Sequence, residues 1–214
     1  MASNPLDRPR LDLAGSLDAL DRHGVRWVLT GSLVLAAYGA RLTPNDIDVT
    51  PALDDANLAA IAELAAALGA VPAHVPEWAQ CPPLESHAEW SPWPATRTNL
   101  DQLLVTPVGM IDIVPELCGT YDELIDTAAP LRVGAHEVLV AHPLTVLGRV
   151  EQAERRKDRA RAGEIERIRA DVARGDHHLV GLDRLLGESA PPAVDGPSDI
   201  DRDDAGRDGS GRTA

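Results

Sequence analysis

Apolar positions along this chain switch between a helical and a strand-like period, and the switches mark its elements. Leu13, Leu17 and Leu20 fall at helical spacing within Leu11–His23, and Gly24 supplies a stop. Val25–Thr30 is a short apolar run that reads as a buried strand. Ser32–Tyr38 predicts a short helix ended by Gly39, and Asp46–Thr50 a second strand. Asp54–Leu68 predicts a strong amphipathic helix, with Asp54 or Asp55 near its cap and Gly69 after it. Leu100–Thr106 and Met110–Val114 read as strands joined at Pro107-Val108-Gly109, and Tyr121–Ala128 as a short helix. Leu131–Val133 and Glu137–Ala141 form an expected hairpin around Gly134-Ala135. A helix is expected from near Pro143 toward Ala173, with a break at Gly163, and Leu179–Leu186 as a final short helix.

Two stretches interrupt this pattern. Residues 72–99 hold Pro72, Pro76, Pro82, Pro83, Pro92 and Pro94 together with Trp78, Trp90 and Trp93. A long loop of this kind inside a compact domain suits a lid or binding loop; the alternative is that its tryptophans cover a sheet edge. From Glu188 onward almost no apolar residue remains, so too little surface is available for burial to offset the entropy of ordering. The expected organisation is a flexible leader (1–10), a core (11–141), a helical C-terminal subdomain (142–187) and a disordered acidic tail (188–214). The order of elements predicts an α+β fold with an α/β-type core: a mixed β-sheet, flanking helices and a small helical C-terminal segment.

Composition narrows the function. The 214 residues are 44% hydrophobic and 25% charged, ordinary for a globular protein, and no apolar run approaches transmembrane length. No signal peptide is evident, and the expected location is cytoplasmic. The net charge of −14 argues against broad, sequence-independent binding of nucleic acid. Positive charge is concentrated between Arg149 and Arg174, a stretch that includes the single lysine, Lys157. Its basic run from Arg155 to Arg161 either faces nucleotide or RNA, or is a solvated helix face paired with Glu151, Glu154 and Asp158. Cys81 and Cys118 form no CxxC, which points away from a structural zinc site or a disulfide framework. His74, His87, His136 and the pair His177-His178 show no ligand spacing and read as surface or loop residues.

Candidate chemistry sits on the predicted strands. Side chains alternate on a strand, so Asp46 and Asp48 share one face while Ile47 and Val49 take the other. Two carboxylates so placed suit a hard cation such as Mg²⁺; two solvent-facing acids on an edge strand are the plainer alternative. Met110-Ile111-Asp112-Ile113-Val114 has the same form, one acid among apolar neighbours. If its strand lies beside the first, three carboxylates converge, enough for a two-metal site. Gly31-Ser32 at a helix start offers backbone N–H groups and a hydroxyl to phosphate, or else simple capping by Ser32.

Gly31-Ser32, then Asp46 and Asp48, then a later lone Asp112, resembles the DNA polymerase β-like nucleotidyltransferase superfamily. Gly39-x-Arg41-x-Thr43 leading into Asp46-Ile47-Asp48 is similar to the form common in its small bacterial members. Val140-Ala141-His142-Pro143 and the helix from Glu151 to Ala160 resemble the AbiEii/MenT-like group, so the likeness spans roughly residues 25–165. The resemblance implies nucleotidyl transfer from an NTP at a magnesium site held by Asp46, Asp48 and Asp112. Gly31, Ser32, Arg41, Thr43 and Lys157 would bind the nucleotide. It also implies a toxin–antitoxin setting, a tRNA acceptor and an antitoxin partner. A small hydroxylated acceptor of the aminoglycoside kind is the alternative, as is a catalytically weak nucleotide- or partner-binding module. Relatives often carry a lysine where this chain has Val150, and an acid where it has Arg161.

Overall fold

The computed structural model of the chain describes residues 3–78, 81–153 and 161–186, with side chains left out for 150–153. Its strands are β1 (Trp27–Thr30), β2 (Asp46–Pro51), β3 (Val71–Pro72), β4 (Leu103–Thr106), β5 (Gly109–Ile113), β6 (Ala129–Val133) and β7 (His136–Val140). Its helices are α1 (Leu13–Arg22), α2 (Gly31–Ala37), α3 (Asp55–Ala67), α4 (Leu84–Ala88), α5 (Arg97–Leu100), α6 (Tyr121–Ile125), α7 (Pro143–Ala153) and α8 (Ala162–Arg174). The fold is α+β: one mixed seven-stranded sheet, ordered β3-β4-β5-β2-β1-β7-β6, with flanking helices. β2 runs parallel to β5 and β1 parallel to β7; the other pairings are antiparallel.

Local chemistry accounts for most boundaries. The Asp12 carboxylate caps α1 by accepting from the Gly15 N–H at 2.9 Å, and Leu13, Leu17 and Leu20 carry the buried stripe. Asp54 caps α3 through the Asn57 N–H. Thr120 and Glu123 form a reciprocal capping box on α6, whose hydrogen bonds from Thr120 hold the Glu123 carboxyl below its ordinary value. Gly109, at φ +116°, closes the β4–β5 hairpin where a Cβ would lie 2.8 Å from the Leu11 backbone.

Several expectations shift. The helix expected over Leu179–Leu186 is only a 3-10 turn at Asp183–Leu185: Gly181 takes φ +99°, and the Val180 N–H is drawn to the Ala37 carbonyl at 2.8 Å. The long helix from Pro143 is described as α7 and α8; Lys157 and the tail from residue 188 lie outside the described residues. The Pro/Trp-rich stretch contains β3, α4 and α5; Trp78 and Trp90 pack on apolar clusters while Trp93 is exposed. The expected leader is tied down: Arg8 donates to the His74 carbonyl at 2.6 Å, and the Asp12 N–H to that of Val108 at 2.9 Å. Val146, Leu147, Ile165, Ile168 and Leu182 of the C-terminal segment join the main buried cluster. Among the described residues no helix is long and apolar enough to cross a membrane.

Asn57 locks the base of the central strands. Its buried side chain accepts from the Arg26 N–H at 2.7 Å and donates to the carbonyls of Arg26 (3.0 Å) and Ala52 (2.7 Å). The amide thus acts as an extra rung between the start of β1 and the end of β2. Asn57→Ala leaves buried backbone groups short of partners, at a cost of about 2 kcal/mol. The expected fall in Tm is about 4–8 °C for a chain of this size, read by calorimetry; an unchanged Tm would show that this clamp contributes nothing.

Candidate active site

The sheet register brings the three aspartates together. On the parallel pair β2–β5, Asp48 lies opposite Asp112 and Asp46 opposite Met110. Residues two apart share a face, so Asp46, Asp48 and Asp112 all project to one side. Ile47, Val49, Ile111 and Ile113 fill the other side and are fully buried. Asp48 is only 9% exposed; Asp46 and Asp112 are half-buried. Each of the three is engaged with neighbouring groups in the folded chain.

β1 delivers Gly31 to this face. Thr30 pairs with Asp48 across β1–β2, and the chain turns into α2 at the next residue. Gly31 has φ +65°, and a Cβ there would sit 1.9 Å from Asp48 Oδ2 and 2.2 Å from its Cγ. The position thus needs glycine twice, for a left-handed backbone and for close approach of a carboxylate. Thr30 holds the N-cap position but makes no side-chain cap, and Ser32 lies half-buried in the first turn rather than capping α2.

Two buried threonines, not singled out in the sequence, secure this seam. Thr50 Oγ1 donates to the Val114 carbonyl at 3.0 Å, which leaves its oxygen to accept from Thr30 Oγ1 at 3.2 Å. The relay joins β1, β2 and the end of β5 beside the aspartates. The signal was present: Thr50 continues the Asp46/Asp48 alternation.

Arg41 is exposed and lines an open cleft of about 350 Å³ with Tyr38, Arg167, Asp171, His177 and Arg184. Thr43 lines a small depression with Arg10, Leu11 and Leu185. Neither lining, among the described residues, includes the three aspartates. Glu164 anchors the cleft: it accepts from the Arg41 N–H at 2.8 Å and from Arg167 at 3.0 Å, and these two bonds hold its carboxyl below the ordinary value. His142 Nδ1 accepts from the Leu144 N–H, and its Nε2 lies 3.3 Å from His177 Nε2. Burial, with the neighbouring His177 charge, pushes His142 down from its usual pKa. Val150 falls within α7, and Lys157 lies outside the described residues.

The histidines need one correction. His87 is not a surface residue but 5% exposed, and it gathers with His74 and Cys81 into a cluster whose ligand atoms all lie within 4.8 Å of one another. Fold pairing, rather than spacing, assembles it.

Comparisons of the chain with known protein families, curated proteins and solved structures find no match.

Proposed function

We propose that this protein is a magnesium-dependent nucleotidyltransferase that moves a nucleotidyl group from an NTP to an acceptor hydroxyl. The observation that carries the reading is the Asp48–Asp112 register on adjacent parallel strands, with Gly31 packed onto the Asp48 carboxylate. Three carboxylates on one sheet face would offer hard oxygens, the ligands magnesium prefers. Asp46 and Asp48 would hold it against the triphosphate, and Asp112 would complete a second position. Bound magnesium would neutralise phosphate charge and lower the pKa of the acceptor hydroxyl.

The chain's own contribution is placement. β2 and β5 fix the spacing of the carboxylates, and the Thr30–Thr50 relay holds β1 against them. Gly31 keeps backbone where a side chain would displace Asp48, leaving the Gly31-Ser32 turn to face the phosphates. The net charge of −14 favours a cationic small molecule as acceptor. The sequence resemblance favours a tRNA end, with an antitoxin as protein partner. Labelled NTPs offered with total RNA and with aminoglycosides separate the two, since the label follows the acceptor.

Asp48→Asn keeps the shape of the side chain and removes a charge. Transfer is expected to fall about a thousandfold, equivalent to about 4 kcal/mol of transition-state stabilisation, with the circular dichroism spectrum unchanged. Wild-type rates in this variant, measured as pyrophosphate release, would sink the proposal.

Gly31→Ala forces Asp48 to move by more than 1 Å from its present place. An expected loss of about a hundredfold in transfer follows from such a misplacement, along with about 1–2 kcal/mol of backbone strain. Gly69→Ala is the control: its φ is +57°, but nothing lies within 4 Å of the added Cβ. It should lose similar stability and keep its activity. Equal activity in the two variants would separate Gly31 from the site.

A further inference from the structure

We propose that His74, Cys81 and His87 form a binding site for a thiophilic divalent metal ion, zinc in the first place, independent of the aspartates. His74 follows β3, Cys81 lies in the loop after it, and His87 is on α4, which packs against β3. Cys81 Sγ lies 3.4 Å from His74 Nδ1 and 3.8 Å from His87 Nε2. Ligands at ordinary zinc–sulfur and zinc–nitrogen bond lengths in a tetrahedral site stand about 3.5 Å apart.

The three ligand atoms lie within 4.8 Å of one another, close enough to share one ion. Metal binding at His87 Nε2 takes the tautomer in which Nδ1 donates to the buried Pro72 carbonyl, 3.2 Å away. Nε2 then faces Cys81 Sγ at 3.8 Å; it also lies 3.2 Å from the Pro82 carbonyl, to which the other tautomer donates. His74 Nδ1 joins the same centre. A histidine ligand whose second nitrogen is held by a backbone carbonyl is the usual outer arrangement of a zinc site. One thiolate and two imidazoles suit zinc, and not magnesium. Three protein ligands leave a fourth position for water.

The surroundings give the ion a structural task. Residues 73–78 and 81–83 belong to no helix or strand, and Ala73 and Val75 join Leu103, Val105 and Met110 in a small apolar cluster, with Trp78 against it. The Ala73 N–H still pairs with the Leu103 carbonyl at 2.7 Å, and Arg8 binds the His74 carbonyl from the opposite side. Burial lowers the Arg8 pKa, against the opposing pull of Glu77 and Asp7. A metal bound at His74, Cys81 and His87 would staple this excursion to the edge of the sheet.

Cobalt titration of the full-length, reduced, metal-stripped protein tests the site. One equivalent of Co²⁺ should produce a thiolate-to-cobalt charge-transfer band and the visible bands of tetrahedral cobalt, both displaced by one equivalent of Zn²⁺. Cys81→Ser should abolish the charge-transfer band, and His87→Gln should weaken binding at least tenfold. Cys118→Ser and Asp48→Asn should leave the spectrum intact, which keeps this outcome separate from that of the transferase proposal. Zinc should also raise the Tm of the wild type. Absence of a cysteine-dependent band in the wild-type protein overturns the site and assigns the centre to a Cys81–His87 proton-shared pair. A band that survives Cys81→Ser and is lost in Cys118→Ser overturns it equally, while absence of any band is read on the wild-type protein alone.

Discussion

At residue 31 the chain passes from β1 into α2 through a space with no room for a side chain, because the Asp48 carboxylate occupies it. That contact ties together the strand that ends there, the helix that begins there and the neighbouring strand that carries the acids. It also fixes register. A slip of one residue in β2 would turn Asp46 and Asp48 into the apolar side and expose Ile47 and Val49. Burial of Ile47, Val49, Ile111 and Ile113 opposes such a slip, and the Thr30–Thr50 relay and the Asn57 clamp oppose it from the polar side. The candidate site is therefore a by-product of correct sheet pairing and not a separate construction.

The C-terminal segment steadies the same helix from its far end. Arg184 donates to the Ala36 and Ala40 carbonyls, at 3.3 and 2.7 Å, and Val180 donates to Ala37. These bonds satisfy carbonyls that a helix end leaves without intrahelical partners. Arg167 reaches the Gly39 carbonyl at 2.6 Å while paired to Glu164 and Asp171. The chain between α2 and β2 is thus held from both sides. Further along, the Arg41 N–H donates to Glu164 of α8.

What could be read from the sequence was what depends on neighbours in the chain. Period-two alternation put Asp46, Asp48 and Asp112 on polar faces, and short-range caps and glycines marked α1, α2 and α3 to within a residue or two. The adjacency of β2 and β5 could only be supposed, because pairing of distant strands leaves no local trace. Arg41 and Thr43 were joined to the aspartates by the motif; in the fold Arg41 lines the cleft beside α8 and Thr43 a small depression with Arg10 and Leu185. The expected helix over Leu179–Leu186 failed on Gly181, whose left-handed backbone a helix cannot use. The His74–Cys81–His87 cluster was missed for the opposite reason. Its spacing matches no familiar ligand pattern, and only the packing of α4 on β3 closes it.

The two acceptor-rich clusters differ in donor hardness, and that difference matters to both proposals. Carboxylates discriminate poorly: a divalent transition metal binds them more tightly than magnesium does, so selectivity there must come from what reaches them. A buried site of one thiolate and two imidazoles takes zinc in preference to oxygen donors, and this one sits at the sheet edge, with β4 between its strand and that of Asp112. Under the two proposals together, a first equivalent of zinc would settle among His74, Cys81 and His87 and leave the aspartates to magnesium. The staple and the catalytic face would then be matched by chemistry as well as separated by distance, each holding the cation that its donors can keep.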